Sequence, residues 1–202
     1  MNRNIWLTRL VCVALISILN VHFSVASAQE SSRAAKTNVT VGGNIFGGGN
    51  NANVSGNSAV LINQANAQVG LRDENNKLVK NTGSVYGGGA LANVGTSSSN
   101  TTTVTLTNGT AQGSVYGGGL GQKNGVNGAT SDIAALVYGN VTVTLNGGIA
   151  DSVFGCNNLN GAPQNSVQVN ITSGNANYVF GGGNVAAYGG TPDVNVSGGQ
   201  VY

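Results

Sequence analysis

The sequence predicts an all-β chain, a parallel β-helix (β-solenoid) of about five irregular rungs behind a cleaved N-terminal signal peptide. Three observations lead there. First, a phrase consisting of a β-branched residue, an aromatic ring and then residues with little or no side chain occurs at Ile45-Phe46-Gly47-Gly48-Gly49, Val85-Tyr86-Gly87-Gly88-Gly89, Val115-Tyr116-Gly117-Gly118-Gly119, Val153-Phe154-Gly155-Cys156-Asn157 and Val179-Phe180-Gly181-Gly182-Gly183. Self-similarity of this kind marks a repeat architecture. Second, segments of alternating β-branched and polar residues precede the phrase each time, the pattern of a half-buried strand. Third, 33 Gly against 2 Pro, with 7% charged residues, is far from the average globular composition and is not that of a standard enzyme.

Taken in order, residues 1–28 read as a secretory signal peptide. Arg3 and Arg9 charge its start, Leu10 to Leu19 are apolar, and Ala26-Ser27-Ala28 suits cleavage after Ala28. The apolar run is too short for a good membrane span, so no transmembrane segment is expected in the mature chain. Cleavage removes His22, Trp6, Met1 and Cys12, leaving Cys156 as the single thiol and no internal disulfide. It also removes Arg3 and Arg9, and the six remaining Lys and Arg balance six Asp and Glu. A neutral chain without a basic cluster argues against nucleic acid as a partner. Residues 29–37 are polar and aperiodic, and read as a disordered leader.

From residue 38 to 202 the chain reads as one repeat domain. Its strand signals are Val39-Thr40-Val41, Val60-Leu61-Ile62, Thr103-Val104-Thr105-Leu106, Val141 to Leu145 and Val167 to Ile171, with Val and Leu expected inward and Thr and Asn outward. Asn108-Gly109, Asn146-Gly147-Gly148 and Ser173-Gly174-Asn175 follow three of them, in the style of turns with positive φ. Those pairs are also hairpin signals, and a series of antiparallel hairpins is the competing arrangement. Stacked rungs account better for identical aromatic positions: repeats about 4.8 Å apart would place Phe46, Tyr86, Tyr116, Phe154 and Phe180 in one ladder. Two inserts, Leu71 to Lys80 with its charges and the polar run Thr96 to Thr102, read as solvated loops. Residues 193–202 open another unit and stop before any glycine run, so the domain is expected to be truncated at its C-terminal end.

Chemistry is sparse. Asp132, Asp151 and Asp193 are the acids after residue 74 and fall at different phases of the repeat, which disfavours a paired acid and base. The mature chain keeps no His for a nucleophile to use. Calcium-binding glycine repeats need an Asp where Gly118-Gly119-Leu120-Gly121-Gln122 has Gln, and phosphate loops need Lys followed by Ser or Thr at a helix start. No catalytic, metal or cofactor-binding residue is expected. Cys156 stands at a glycine position, where a small residue is tolerated. Thr103, Thr105 and Thr107, then Thr142 and Thr144, form Thr-x-Thr pairs on outward strand positions, an arrangement resembling ice-binding surfaces.

With the phrases V-x-V-x-L-x-x-G and V-Y-G-G-G in hand, the chain resembles, over about residues 38–202, the glycine-rich β-helical adhesin-like proteins of bacterial surfaces, including the repeat regions of autotransporter-like passengers. The resemblance implies an exported, non-enzymatic structural or adhesive protein, extracellular or on the cell surface, binding host glycan, matrix or neighbouring cells. Self-association through an open solenoid end is a further expectation. The competing expectations are a fragment of a β-helix polysaccharide-active enzyme whose catalytic part is missing, and an ice-binding or matrix-forming solenoid.

Overall fold

The computed structural model describes residues 38–202; the signal peptide expected at 1–28 and the leader at 29–37 lie outside the described residues. Those described form an all-β structure with a large parallel sheet. Its strands are β1 (Thr40–Val41), β2 (Ile45–Phe46), β3 (Ser58–Ile62), β4 (Gln68–Val69), β5 (Val85–Tyr86), β6 (Thr101–Leu106), β7 (Thr110–Ala111), β8 (Val115–Tyr116), β9 (Asn140–Phe154), β10 (Val167–Phe180), β11 (Asp193–Val196) and β12 (Gln200–Val201).

The pairing falls into three columns. One runs β3, β6, the front of β9, the front of β10 and β11, with Val60↔Val104↔Val143↔Val169↔Val194 and Ile62↔Leu106↔Leu145↔Ile171↔Val196 in register. A second joins Val41, Val69, Ala111, Ala150, Ala176 and Val201. The third carries the aromatic phrase, Ile45↔Val85↔Val115↔Val153↔Val179. Isolated parallel bridges link Val54, Val94, Val137 and Pro163 between the third column and the first. The chain visits these stations in one recurring order, with loops of unequal length between them. The hairpin series does not occur: every strand-to-strand pairing is parallel, and the antiparallel bridges Arg72↔Leu78 and Gln122↔Ile133 lie inside inserts.

Alternation explains the core. In β6 the pattern of buried and accessible residues places Val104 and Leu106 inward and Thr103 and Thr105 outward, and β3 repeats it with Leu61 exposed. The inward residues of all three columns merge into one apolar cluster that includes Leu106, Leu145, Ile171 and Val153. Both long strands turn a corner without leaving the sheet. Gly147 (φ 138) and Gly174 (φ 85) supply the positive φ there, and β10 is irregular in register between Ile171 and Asn175.

The run Thr96 to Thr102 is not a solvated loop throughout. Asn100 closes a turn by accepting from the Thr96 and Ser97 amides at 2.9 and 3.1 Å, and Thr101 and Thr102 already belong to β6. Thr102 is buried because the register sets it beside Ser58, whose hydroxyl donates to the Gly87 carbonyl at 2.8 Å and lies 3.2 Å from the Thr102 hydroxyl. Composition makes this run look polar and loose; pairing with β3, where the inward Thr102 hydroxyl finds the Ser58 hydroxyl as partner, is what places its end in the sheet. The insert Leu71 to Lys80 is exposed but for Leu78, which is half-buried, and it is ordered by Asp73, which accepts from the amides of Asn75 and Lys77, both at 2.9 Å.

Candidate functional site

Phe46, Tyr86, Tyr116, Phe154 and Phe180 stand in one column. Successive ring centroids are 4.7, 4.9, 4.9 and 4.8 Å apart, with interplanar angles of 6, 6, 9 and 15°. The spacing is that of neighbouring strands, and near-parallel rings at such distances are offset-stacked. Because side chains alternate across a strand, the Val or Ile before each ring enters the main core while the ring goes to the opposite face. Tyr86, Tyr116 and Phe154 are nevertheless buried, in a separate apolar cluster completed by Phe46 and Leu120, and Phe180 at the column's end is exposed. Burial pushes the Tyr116 hydroxyl up to about 12 against the effect of hydrogen bonds with Ser114 and Asn184, and burial likewise raises Tyr86.

The glycines after each ring serve close approach. None of Gly47, Gly87, Gly117 or Gly155 has a positive φ, yet a Cβ on each would overlap the carbonyl oxygen of the equivalent glycine in the next repeat: Gly87, Gly117, Gly155 and Gly181. The backbone uses that proximity. Gly47, Gly87, Gly117 and Gly155 amides donate at 2.9 Å to the carbonyls of Tyr86, Tyr116, Phe154 and Phe180, so the corner itself is a hydrogen-bonded ladder.

Cys156 replaces the second glycine and Asn157 the third. Cys156 is buried in the main core, its thiol donates weakly to the Gly181 carbonyl at 3.4 Å, and burial pushes it up to about 12. A thiol so far above its ordinary value is not a nucleophile near neutrality. Asn157 is also fully buried: Nδ2 donates to the carbonyls of Ala135 and Asn160 at 2.7 and 3.1 Å, and Oδ1 has no partner among the described residues.

The three later acids have separate surroundings. Asp132 accepts from the Asn124 amide at 2.6 Å and lies 3.3 Å from Lys123 Nζ, and these two bonds, the amide's first, hold its carboxyl below the ordinary range. Asp151 accepts from Ser152 and from Asn177 Nδ2 at 3.2 and 3.0 Å. Asp193 meets Gln168 Nε2 at 3.5 Å. On the outer face of the first column, Thr103↔Thr142 and Thr105↔Thr144 are in register, flanked by Ala59 and Leu61 on one side and Gln168 and Asn170 on the other.

A cleft of about 620 Å³ opens beside the aromatic column, between the loop that ends at Ser84 and the insert around Val126 to Ala129. Tyr86, Leu91, Leu120, Asn158 and Leu159 line its sheet side, and Asn158 Nδ2 donates to the Tyr86 hydroxyl at 2.9 Å. The insert is closed by the reciprocal amide to carbonyl bonds of Gln122 and Ile133, at 2.8 and 2.9 Å. Neither this cleft nor Asn158 belongs to the repeated phrase, so neither is marked in the sequence; the nearest signal is Asn157 at the third glycine position. No protein-family model matches the chain, and no significant match is found among curated proteins or solved structures.

Proposed function

We propose that residues 38–202 coil as a β-solenoid and that the protein is an exported, non-enzymatic structural and adhesive protein of the cell surface or its surroundings. The observation that carries this reading is the in-register recurrence of the same stations from repeat to repeat, with unequal loops emerging between them. Such a coil is an extended scaffold, and its loops are its means of contact. The dispersed carboxylates favour this over a polysaccharide-cleaving fragment, because Asp132, Asp151 and Asp193 are each engaged by different neighbours. Strands β11 and β12 pair on one side with β10, and Val194, Val196 and Val201 are exposed, which supports self-association through that edge. Beads coated with the full chain should adhere to cells or extracellular matrix, and the protein should be digested by protease added to intact producing cells. Retention inside the cell, or no adhesion to any surface tried, would sink the reading.

The paired threonines support a second reading, an ice-binding face. Thermal hysteresis abolished by Thr105→Lys would favour it; none in the unmodified protein would dispose of it.

A further inference from the structure

We infer that the cleft beside the aromatic column is a binding site for a neutral oligosaccharide, an inference that rests on the adhesive reading above and gives it a ligand class. The argument begins with charge. No Asp, Glu, Lys, Arg or His is among the residues lining the cleft, although charged residues stand near it on both inserts. An anionic or cationic ligand would therefore find no counter-charge within, and would have to shed its hydration for amides alone.

Polar capacity is abundant and neutral. Asn50, Asn81 and Asn127 line the cleft, are exposed, and make no side-chain hydrogen bond among the described residues. Each primary amide offers two donors and an acceptor, a set that pairs with the vicinal hydroxyls of a sugar, which donate and accept in turn. Other lining amides are already committed: Asn44 Nδ2 donates to the Asn81 carbonyl at 2.9 Å and its Oδ1 accepts from the Ser84 amide at 2.9 Å, so it shapes the wall.

The floor supplies the apolar half. Leu91, Leu120 and Leu159 lie one or two residues past the corner of three successive repeats, Leu120 one position ahead of the station that Leu91 and Leu159 share with Gly121, and the Leu159 amide donates to the Leu120 carbonyl at 2.8 Å. All three are half-buried, and together they give the cleft an apolar floor that can take the C–H faces of sugar rings. The volume of about 620 Å³ suits a short oligomer.

The test is titration calorimetry of the full chain with a panel of soluble neutral oligosaccharides (cellohexaose, maltohexaose, chitohexaose, mannohexaose) and acidic ones (oligogalacturonate, oligoalginate). At least one neutral probe should bind, with affinity reduced tenfold or more by Asn50→Ala and by Asn127→Asp, while Asn195→Ala on β11 leaves it unchanged. Asn127 sits at φ 52, which Asp tolerates as Asn does, so the second variant keeps the backbone. Should Asn127→Asp fail to fold, Asn50→Ala at its exposed position carries the test. No binding by any neutral probe, preference for acidic probes, or neutral binding indifferent to both cleft variants would each overturn the inference. Bead adhesion separates its fate from that of the adhesive reading: adhesion without oligosaccharide binding in the cleft removes the cleft and keeps the adhesin, whereas cleft-dependent oligosaccharide binding without adhesion does the reverse.

Discussion

At Tyr116 two packing demands meet, since the ring is stacked on both faces and buried although it points away from the main core. Tyr116→Ala should lower unfolding free energy by about 3–5 kcal/mol in denaturant titration, whereas Tyr116→Phe, which keeps both stacking partners, should cost far less. Cys156 carries a pH prediction. Its thiol is raised from 9.0 to about 12 and the Tyr116 hydroxyl from 10.0 to about 12, so the fold holds both neutral. Their contribution is fully present below pH 9 and is lost as pH rises toward 12. Melting temperature should start to fall above pH 9, and in Cys156→Ala the decline should begin nearer pH 10, with the thiol's ionisation gone. A melting temperature flat through this range would contradict the buried placement of both groups.

At the scale of elements, the corner glycines and the inserts behave differently. Gly117→Ala would drive a methyl group into the Gly155 carbonyl, with Val141 and Val143 also in the way, and neither strand can yield without breaking the ladder. A loss of about 1–3 kcal/mol or more is expected. Gly43→Ala, where nothing lies within 4 Å and φ is not positive, should be neutral or stabilise by up to about 1 kcal/mol. In the insert around Asp132, the depressed carboxyl contributes order above its ordinary 3.8 that is lost as pH falls through its lower folded value. The protection factor of the Asn124 amide, its exchange rate relative to the intrinsic rate at each pH, should fall on acidification below pH 4, and Asp132→Asn should show a weaker pH response. Strand positions and the ring column were legible in the sequence because both follow from a short repeated phrase. The cleft was not, because it depends on Asn158 meeting Tyr86 across 72 residues and on an insert without repeat character. Thr102 escaped for a related reason: its burial is set by a partner strand.

For the whole molecule, alternation and repetition together foretold an all-β architecture, and the parallel sheet decides against serial hairpins. At the first glycine of the phrase it is the next repeat that refuses a side chain, whereas at Gly49, Gly89 and Gly183 the carbonyls of Ala52, Ala92 and Ala186 in the same turn also stand in the way. The exposed Val196 and Val201 at one edge of the sheet lead to a solution prediction. The full chain should form oligomers that grow with concentration in sedimentation velocity, and Val196→Lys with Val201→Lys should return it toward monomer, since charge on an edge opposes strand pairing. The unequal loops carry a consequence for the order of folding. Phe154 and Phe180 are 26 residues apart and Phe46 and Tyr86 are 40 apart, yet closing the longer loop costs only about 0.4 kcal/mol more. Loop closure therefore hardly chooses where the chain begins to fold, and the choice passes to pairing length. β9 and β10 are joined from Val141↔Val167 through to Phe154↔Phe180, whereas β2 and β5 share only two positions. The nucleus belongs at β9–β10, from which ordering spreads toward β1, and pulse-labelled amides of Val143 and Val169 should gain protection before that of Val85.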